Sequence, residues 1–232
     1  MGLAQGVTGA APGSEQDRHG KGVRAILNRF GKALITSAAT AAVIGMAAAP
    51  AFATAATWTV KPGGATTGKA GTTVVTDVTA NQSVTCTSSS TKGSFKRGSG
   101  LAGAGIGTIT SLTVSGCSVL GMSITVTLTG TMPVNALSFN STKKTVAMSI
   151  SKIHGSLSTS GCSATIDGTG AAAHNGTVKA TYMDVGGKLH VLKTGGNLHL
   201  YNVNCFGVIN SGDSVNFTTT YTLTPKQVIT SP

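Results

Sequence analysis

The stretch SITVTLTG, residues 123–130, decides the fold class, because its apolar residues Ile124, Val126 and Leu128 alternate with serine or threonine. A period of two indicates a β-strand with one buried face and one face in water. Similar apolar and Ser/Thr patterns recur in four further stretches. These are TITSLTVS (108–115), TVAMSIS (145–151), TVKATYMDV (177–185) and SVNFTTTYTLT (214–224).

Turn signals rich in glycine, asparagine and proline separate these strands, such as KPGG (61–64), FNSTKK (139–144), HNGT (174–177) and NSGDS (210–214). No stretch after Trp58 carries a helical period. Many short strands at regular spacing are typical of a sandwich or a barrel. The sequence therefore predicts an all-β fold, an antiparallel sandwich or barrel of roughly ten to fourteen short strands.

The N-terminal region has the features of an export signal. Basic residues (Arg24, Arg29 and Lys32) precede an alanine-rich apolar run at 33–49, and small residues follow it. We expect cleavage after Ala53, with Ala55 and Ala56 as alternative positions. A membrane anchor is the competing interpretation, but a spanning helix needs about 20 apolar residues. The predicted organisation is a leader, residues 1–53, and one secreted β domain, residues 54–232.

The first 22 residues do not resemble a signal start, because they contain the acids Glu15 and Asp17. A chain that begins at Val23 has a compact signal peptide. We predict that Val23 is the true initiator and that residues 1–22 are a misassigned start.

The secreted segment is basic and poor in aromatic residues. Its 179 residues contain 12 Lys and Arg against four Asp and no Glu, which gives a net charge of +8. Nucleic-acid binding favours basic residues interleaved with stacking aromatics, and aromatics are scarce here. The charge instead predicts weak, salt-sensitive association with anionic cell-wall polymers, through Lys92, Lys96 and Arg97, Lys143 and Lys144, or Lys188 and Lys193. Alternatively, the lysines only keep the surface soluble.

All four cysteines follow the cleavage site, and an even number in an exported chain indicates two disulfides. Three connectivities are possible, and we favour Cys86–Cys117 with Cys162–Cys205, because each pair closes a local loop. A zinc site is the alternative, but no Cys-x-x-Cys pair is present.

The stretch KLHVLKTGGNLHLYNVNC, residues 188–205, predicts a β-hairpin that turns at 194–195 or 195–196. In either register His190 and His199 share one face, while the neighbouring leucines point into the core. These two histidines are the metal-binding candidates, but a stable site needs a third ligand, and only Asp184, His154 or His174 could supply it. We interpret the stretch as a hairpin with solvated imidazoles and predict neither a metal nor a cofactor.

No catalytic residue can be assigned from the sequence. Gly212, Asp213 and Ser214 match part of the motif around the nucleophile of chymotrypsin-like proteases, but Val215 and Asn216 replace the two glycines that follow it. Asp167 and Asp213 each lie beside a glycine, where turn formation explains them.

Several segments together resemble a group of small, Thr/Ser/Gly-rich secreted proteins of high-GC Gram-positive bacteria. They include ATWTVKPGG (56–64), GSGLAGAGIGTITSLTVSGC (98–117) and GCSATIDGT (161–169). The resemblance implies no activity and no functional residue. The leading hypothesis is a non-catalytic, secreted or wall-associated β-protein with a binding or structural role. The alternatives are a secreted carrier of a small ligand, which requires an apolar cleft, and an extracellular hydrolase.

Overall fold

A computed structural model describes residues 56–119 and 121–232; the predicted signal peptide and the predicted start at Val23 lie outside them. The described residues form sixteen β-strands and one 3₁₀ turn, Val185–Gly187. In chain order the strands are β1 (Thr57–Lys61), β2 (Gly64–Ala70), β3 (Thr73–Asp77), β4 (Gln82–Phe95), β5 (Gly98–Ala102), β6 (Gly107–Val119), β7 (Met122–Leu128), β8 (Met132–Asn140), β9 (Thr145–Ile153), β10 (Gly155–Thr159), β11 (Cys162–Asp167), β12 (Gly176–Met183), β13 (Lys188–Val191), β14 (His199–Asn204), β15 (Val215–Thr224) and β16 (Val228–Thr230).

Eight antiparallel strands close into a barrel in the order β4–β6–β8–β9–β12–β13–β15–β2, and β2 pairs again with β4. Closure removes the free edges that an open sheet would present to solvent. We call this ring the capped tier, because a small sheet covers one end of it.

The long strands β4, β6 and β15 continue beyond the capped tier and support a second ring. There β6 pairs with β7, followed by β10, β11 and β14, while β3 lies between β15 and β4. The His199–Ser214 bridge and the hydrogen bond from Val215 N to Leu198 O (2.9 Å) join β14 to β15. We call this second ring the open tier. The barrel is therefore two tiers long, with one lumen running through both.

The three-stranded sheet β16–β1–β5 covers the outer end of the capped tier. Its residues Trp58, Val60 and Ile229 are buried in the common core. Tyr182 of β12 donates its hydroxyl to Gln227 O (2.7 Å) and accepts from Gln227 N (2.8 Å), which ties the sheet to the barrel wall. Burial raises the pKa of the Tyr182 phenol to about 12, so this hydroxyl stays protonated.

The alternation seen in the sequence places Val, Ile, Leu, Met and Ala on the inward face of the strands. Strand β12, for example, alternates buried and half-buried residues along its whole length. An eight-stranded barrel is just wide enough for side chains to fill it or for one small ligand to fit. Because few of the side chains in this chain are aromatic, the lumen is incompletely filled.

The structure confirms the all-β class, with a barrel rather than a sandwich, and both disulfides, Cys86–Cys117 and Cys162–Cys205. The described residues contain more strands than expected, because each tier adds strands as short as four or five residues. No helix in this part of the chain is long and apolar enough to cross a membrane.

The predicted hairpin at 188–205 is wrong. Strand β13 pairs with β12 and β15 in the capped tier, whereas β14 pairs with β11 in the open tier. The segment between them crosses from one tier to the other and is held by bonds from Leu192 N to Lys179 O (2.9 Å) and from Asn197 N to Thr177 O (3.1 Å). The Gly-Gly signal was local, whereas β13 pairs over four residues with both β12 and β15, and β14 pairs with β11.

Candidate functional site

The lumen of the open tier contains a cavity of about 150 Å³. Strands from every side of the ring contribute to its wall, and most of the lining side chains are apolar. A smaller compartment of about 50 Å³ lies between the tiers and shares wall residues with it. The shared residues are Val75, Ile166 and Val215. The two compartments therefore adjoin each other along the lumen.

One carboxylate interrupts this apolar wall. Asp77 ends β3, is 5% exposed, and accepts hydrogen bonds through Oδ1 from the amides of Thr79 (2.9 Å) and Ala80 (2.8 Å). Its other oxygen, Oδ2, is buried without a hydrogen-bond partner among the residues that the structure describes. Burial raises the pKa of the Asp77 carboxyl; the Ala80 amide opposes this effect, and the charge of Asp213 adds to it. A buried acceptor without a partner is energetically unfavourable, and a ligand that donates a hydrogen bond would satisfy it.

The rim of the cavity is apolar and reaches solvent. Phe206 is 87% exposed, and Met122 and Val208 are about half exposed, yet all three line the cavity. The Phe206 ring lies close to the position that a Cβ on Gly161 would occupy. The Cys162–Cys205 disulfide joins the β10–β11 turn to the segment that carries Phe206.

Phe206 is also held in the left-handed region, with φ 50°. Bulky residues rarely adopt this conformation, and such strain concentrates at ligand-binding segments. An exposed aromatic ring held at the mouth of an apolar cavity can cover a bound molecule.

The size of the cavity limits what it can hold. A cavity of about 150 Å³ lined by aliphatic side chains is large enough for a benzene-sized group. Apolar walls with a few polar groups are the usual composition of small-molecule sites. The site thus suits a small apolar group that carries one hydrogen-bond donor directed at Asp77.

The two histidines predicted as metal candidates lie in different tiers. His190 Nδ1 is 2.8 Å from Thr220 Oγ1 in the capped tier, and His199 Nδ1 is 2.8 Å from Asn197 O at the start of β14. Among the described residues, the one group of three His, Cys, Asp or Glu side chains close enough to share a metal contains neither of them. His190 and His199 were expected to share one face of a hairpin. Because β13 and β14 do not form that hairpin, the two histidines do not share a face.

The aspartates considered in the sequence have structural partners. Asp213 is buried and accepts from Asn210 N (2.7 Å), as its turn position predicts. Asp184 accepts from Ile229 N (3.2 Å) and so ties the cap to β12. Burial raises the pKa of the Asp184 carboxyl, while the Ile229 amide opposes this effect. Ser214 is exposed and donates its amide to Thr79 Oγ1 (3.3 Å). The alternative of a hydrolase required Asp184 or Asp213 beside His190 or His199. The hydrogen bonds of these two carboxylates instead come from the amides of Ile229 and Asn210, and the Nδ1 atoms of the two histidines contact Thr220 Oγ1 and Asn197 O.

Asp77, Val84 and Phe206 were not recognisable as site residues from sequence patterns. Asp77 follows an apolar strand and precedes a turn, which a capping role explains equally well. Phe206 lies outside the stretches in which apolar and polar residues alternate, and it follows a cysteine. This position was the one feature of the sequence that could have indicated a role for Phe206. Comparison with models of protein families, with curated proteins and with solved structures gave no match.

Proposed function

We propose that this chain is a secreted, non-catalytic binding protein that holds a small, mainly apolar molecule in the open-tier cavity. The observation that carries the proposal is the apolar cavity itself, open at one rim and with Asp77 in its wall. A purely structural protein gains nothing from an unfilled lumen, because each void lowers stability. The ligand class is an apolar body with one hydroxyl or amino group.

The test is calorimetric titration of the purified protein with phenol, a benzene-sized ring that carries one hydroxyl. We expect one site per chain, lost in Val84→Phe because the new ring occupies the cavity. Val185→Phe is the matched control, since Val185 is 75% exposed and lies outside the cavity lining. Equal binding by both variants would place the probe elsewhere and refute the proposal.

Association with anionic wall polymers is proposed as a second property, supported by the distribution of charge along the barrel. The strand ends at the capped end bring seven basic residues to one pole, while the turns at the open end carry none. The seven are Lys61, Lys96, Arg97, Lys143, Lys144, Lys188 and Lys226. A surface bound at this pole would leave the cavity mouth facing away from the wall.

Retention on isolated cell walls across a salt series tests this second property. We expect moderate salt to release the protein, because exposed charges are screened within about 8 Å at physiological ionic strength. Replacing Lys143 and Lys144 with Gln should weaken retention more than replacing Lys179 and Lys193, which removes the same charge away from the pole. Equal losses would mean that net charge alone drives retention, and no retention at any salt would remove the wall proposal.

A further inference from the structure

A second cluster of chemically active side chains lies where the chain passes from the open tier back to the capped tier. His154 joins β9 to β10, Asp167 ends β11, and His174 lies in the loop before β12. One nitrogen of each imidazole and one Asp167 oxygen all lie within 4.8 Å of one another. None of the three lines the lumen cavity, so this cluster is independent of the proposed function.

Asp167 is held rigidly at the centre of the cluster. It is fully buried, and its Oδ1 accepts from the amides of Gly168 (2.7 Å) and Asn175 (3.2 Å). Its Oδ2 accepts from the amide of His174 (3.1 Å) and lies 3.1 Å from His154 Nδ1. Three backbone amides thus fix the carboxylate, and the fourth neighbour is an imidazole nitrogen that can exchange its proton for a metal.

The spacing of the donor atoms fits a metal ion. Ligand atoms about 2.0–2.1 Å from a tetrahedral zinc lie roughly 3.3 Å apart, close to the separation of His154 Nδ1 and Asp167 Oδ2. The His174 ring packs edge to face against the His154 ring with 4.0 Å between centroids, so a second imidazole is at hand. The ligand sphere can be completed by water, because both rings border a solvent-open depression that Thr129 and Lys152 also line. Lys152 is exposed, so its ammonium can remain in water away from the cation.

We propose that His154, Asp167 and His174 bind one divalent transition-metal ion of the zinc and copper class. Two imidazoles with a single carboxylate suit these metals, whereas calcium takes six to eight oxygen ligands. The cation would replace the proton between His154 Nδ1 and Asp167 Oδ2 and would compensate the buried charge of Asp167.

The test is calorimetric titration of the purified chain with Zn²⁺ and Cu²⁺, alongside two matched variants. His174→Asn removes one ligand at a position with φ 49°, a left-handed conformation that asparagine tolerates. His190→Asn removes a histidine outside the cluster. We expect one ion per chain, affinity lowered at least about tenfold in His174→Asn, and no change in His190→Asn. The electron paramagnetic resonance spectrum of bound Cu²⁺ should show coupling to two imidazole nitrogens, and to one in His174→Asn.

Three results would overturn the proposal: no stoichiometric binding of either ion, unchanged affinity in His174→Asn, or an equal loss in both variants. Circular dichroism of His174→Asn distinguishes loss of a ligand from loss of the fold. Because the lumen is separate, phenol binding should be unaffected by His174→Asn, and failure of either proposal leaves the other standing.

Discussion

Val84→Phe is the substitution whose effect on stability depends most directly on whether the lumen is empty. Val84 lies on β4 opposite Val75, and both residues line the open-tier cavity. Phenylalanine exceeds valine by roughly 50 Å³, and filling a cavity recovers about 24 cal/mol per Å³, which gives about 1.2 kcal/mol. Ordering the larger side chain costs about 0.5 kcal/mol. We expect a net gain of about 0.7 kcal/mol in the free energy of unfolding.

The assay is urea denaturation of ligand-free protein, with thermal unfolding as a second measurement. For a domain of this size the gain corresponds to a rise of about 2 °C in Tm. In a fully packed core the same enlargement would cost about 1–3 kcal/mol. The sign of the change therefore decides between an empty and a filled lumen. A loss of stability, with Val185→Phe unchanged, would refute the cavity argument.

Three further predictions concern the polar groups and disulfides that support the site. The free energy of unfolding of Asp77→Asn, relative to that of the native chain, should rise with pH. Because burial raises the folded pKa of the Asp77 carboxyl, this group stabilises the fold below its unfolded pKa and loses that contribution as pH rises through the folded pKa. Chemical denaturation of both proteins from pH 3 upward measures the difference in free energy, and a difference that does not change with pH would contradict the prediction. Tyr182→Phe should lower the free energy of unfolding, measured by urea denaturation, by about 1–3 kcal/mol, because both backbone groups of Gln227 lose their buried partner. A decrease below about 0.5 kcal/mol would show that water replaces the hydroxyl. Replacing Cys162 and Cys205 with serine should lower the free energy of unfolding by about 4 kcal/mol in the chain-entropy model, since the disulfide closes a 43-residue separation. The same change should weaken probe binding, because the segment that carries Phe206 is no longer tied to the barrel. Unchanged probe binding would contradict the role given to the rim.

Local sequence patterns predicted the elements of this fold better than their arrangement. The alternation around Ile124 and Val126 identified strands correctly, because a few consecutive residues determine which face of a strand is buried. The disulfide pairing was also predictable, because each bridge closes a loop between neighbouring strands. The two-tier closure was not, since it depends on β15 pairing with strands distant in sequence.

The candidate sites were hidden for the same reason. His154, Asp167 and His174 are spread over 21 residues without any ligand motif, and only the crossing between tiers brings them together. Asp77 gave the signal of an ordinary turn residue. The scarcity of aromatics was visible in the sequence, which has few large side chains to line a deep pocket. The structure shows that the smaller aliphatic side chains leave the lumen partly empty.

Methyl NMR during titration with a small neutral alcohol, 1-hexanol, tests the central claim most directly, because it reports which side chains meet the ligand. We expect saturable shifts for the methyl groups of Val75, Val84 and Ile166, and none for the exposed Val185 and Val228. Shifts confined to Val185 and Val228, or no saturable shifts at all, would contradict a binding site in the lumen.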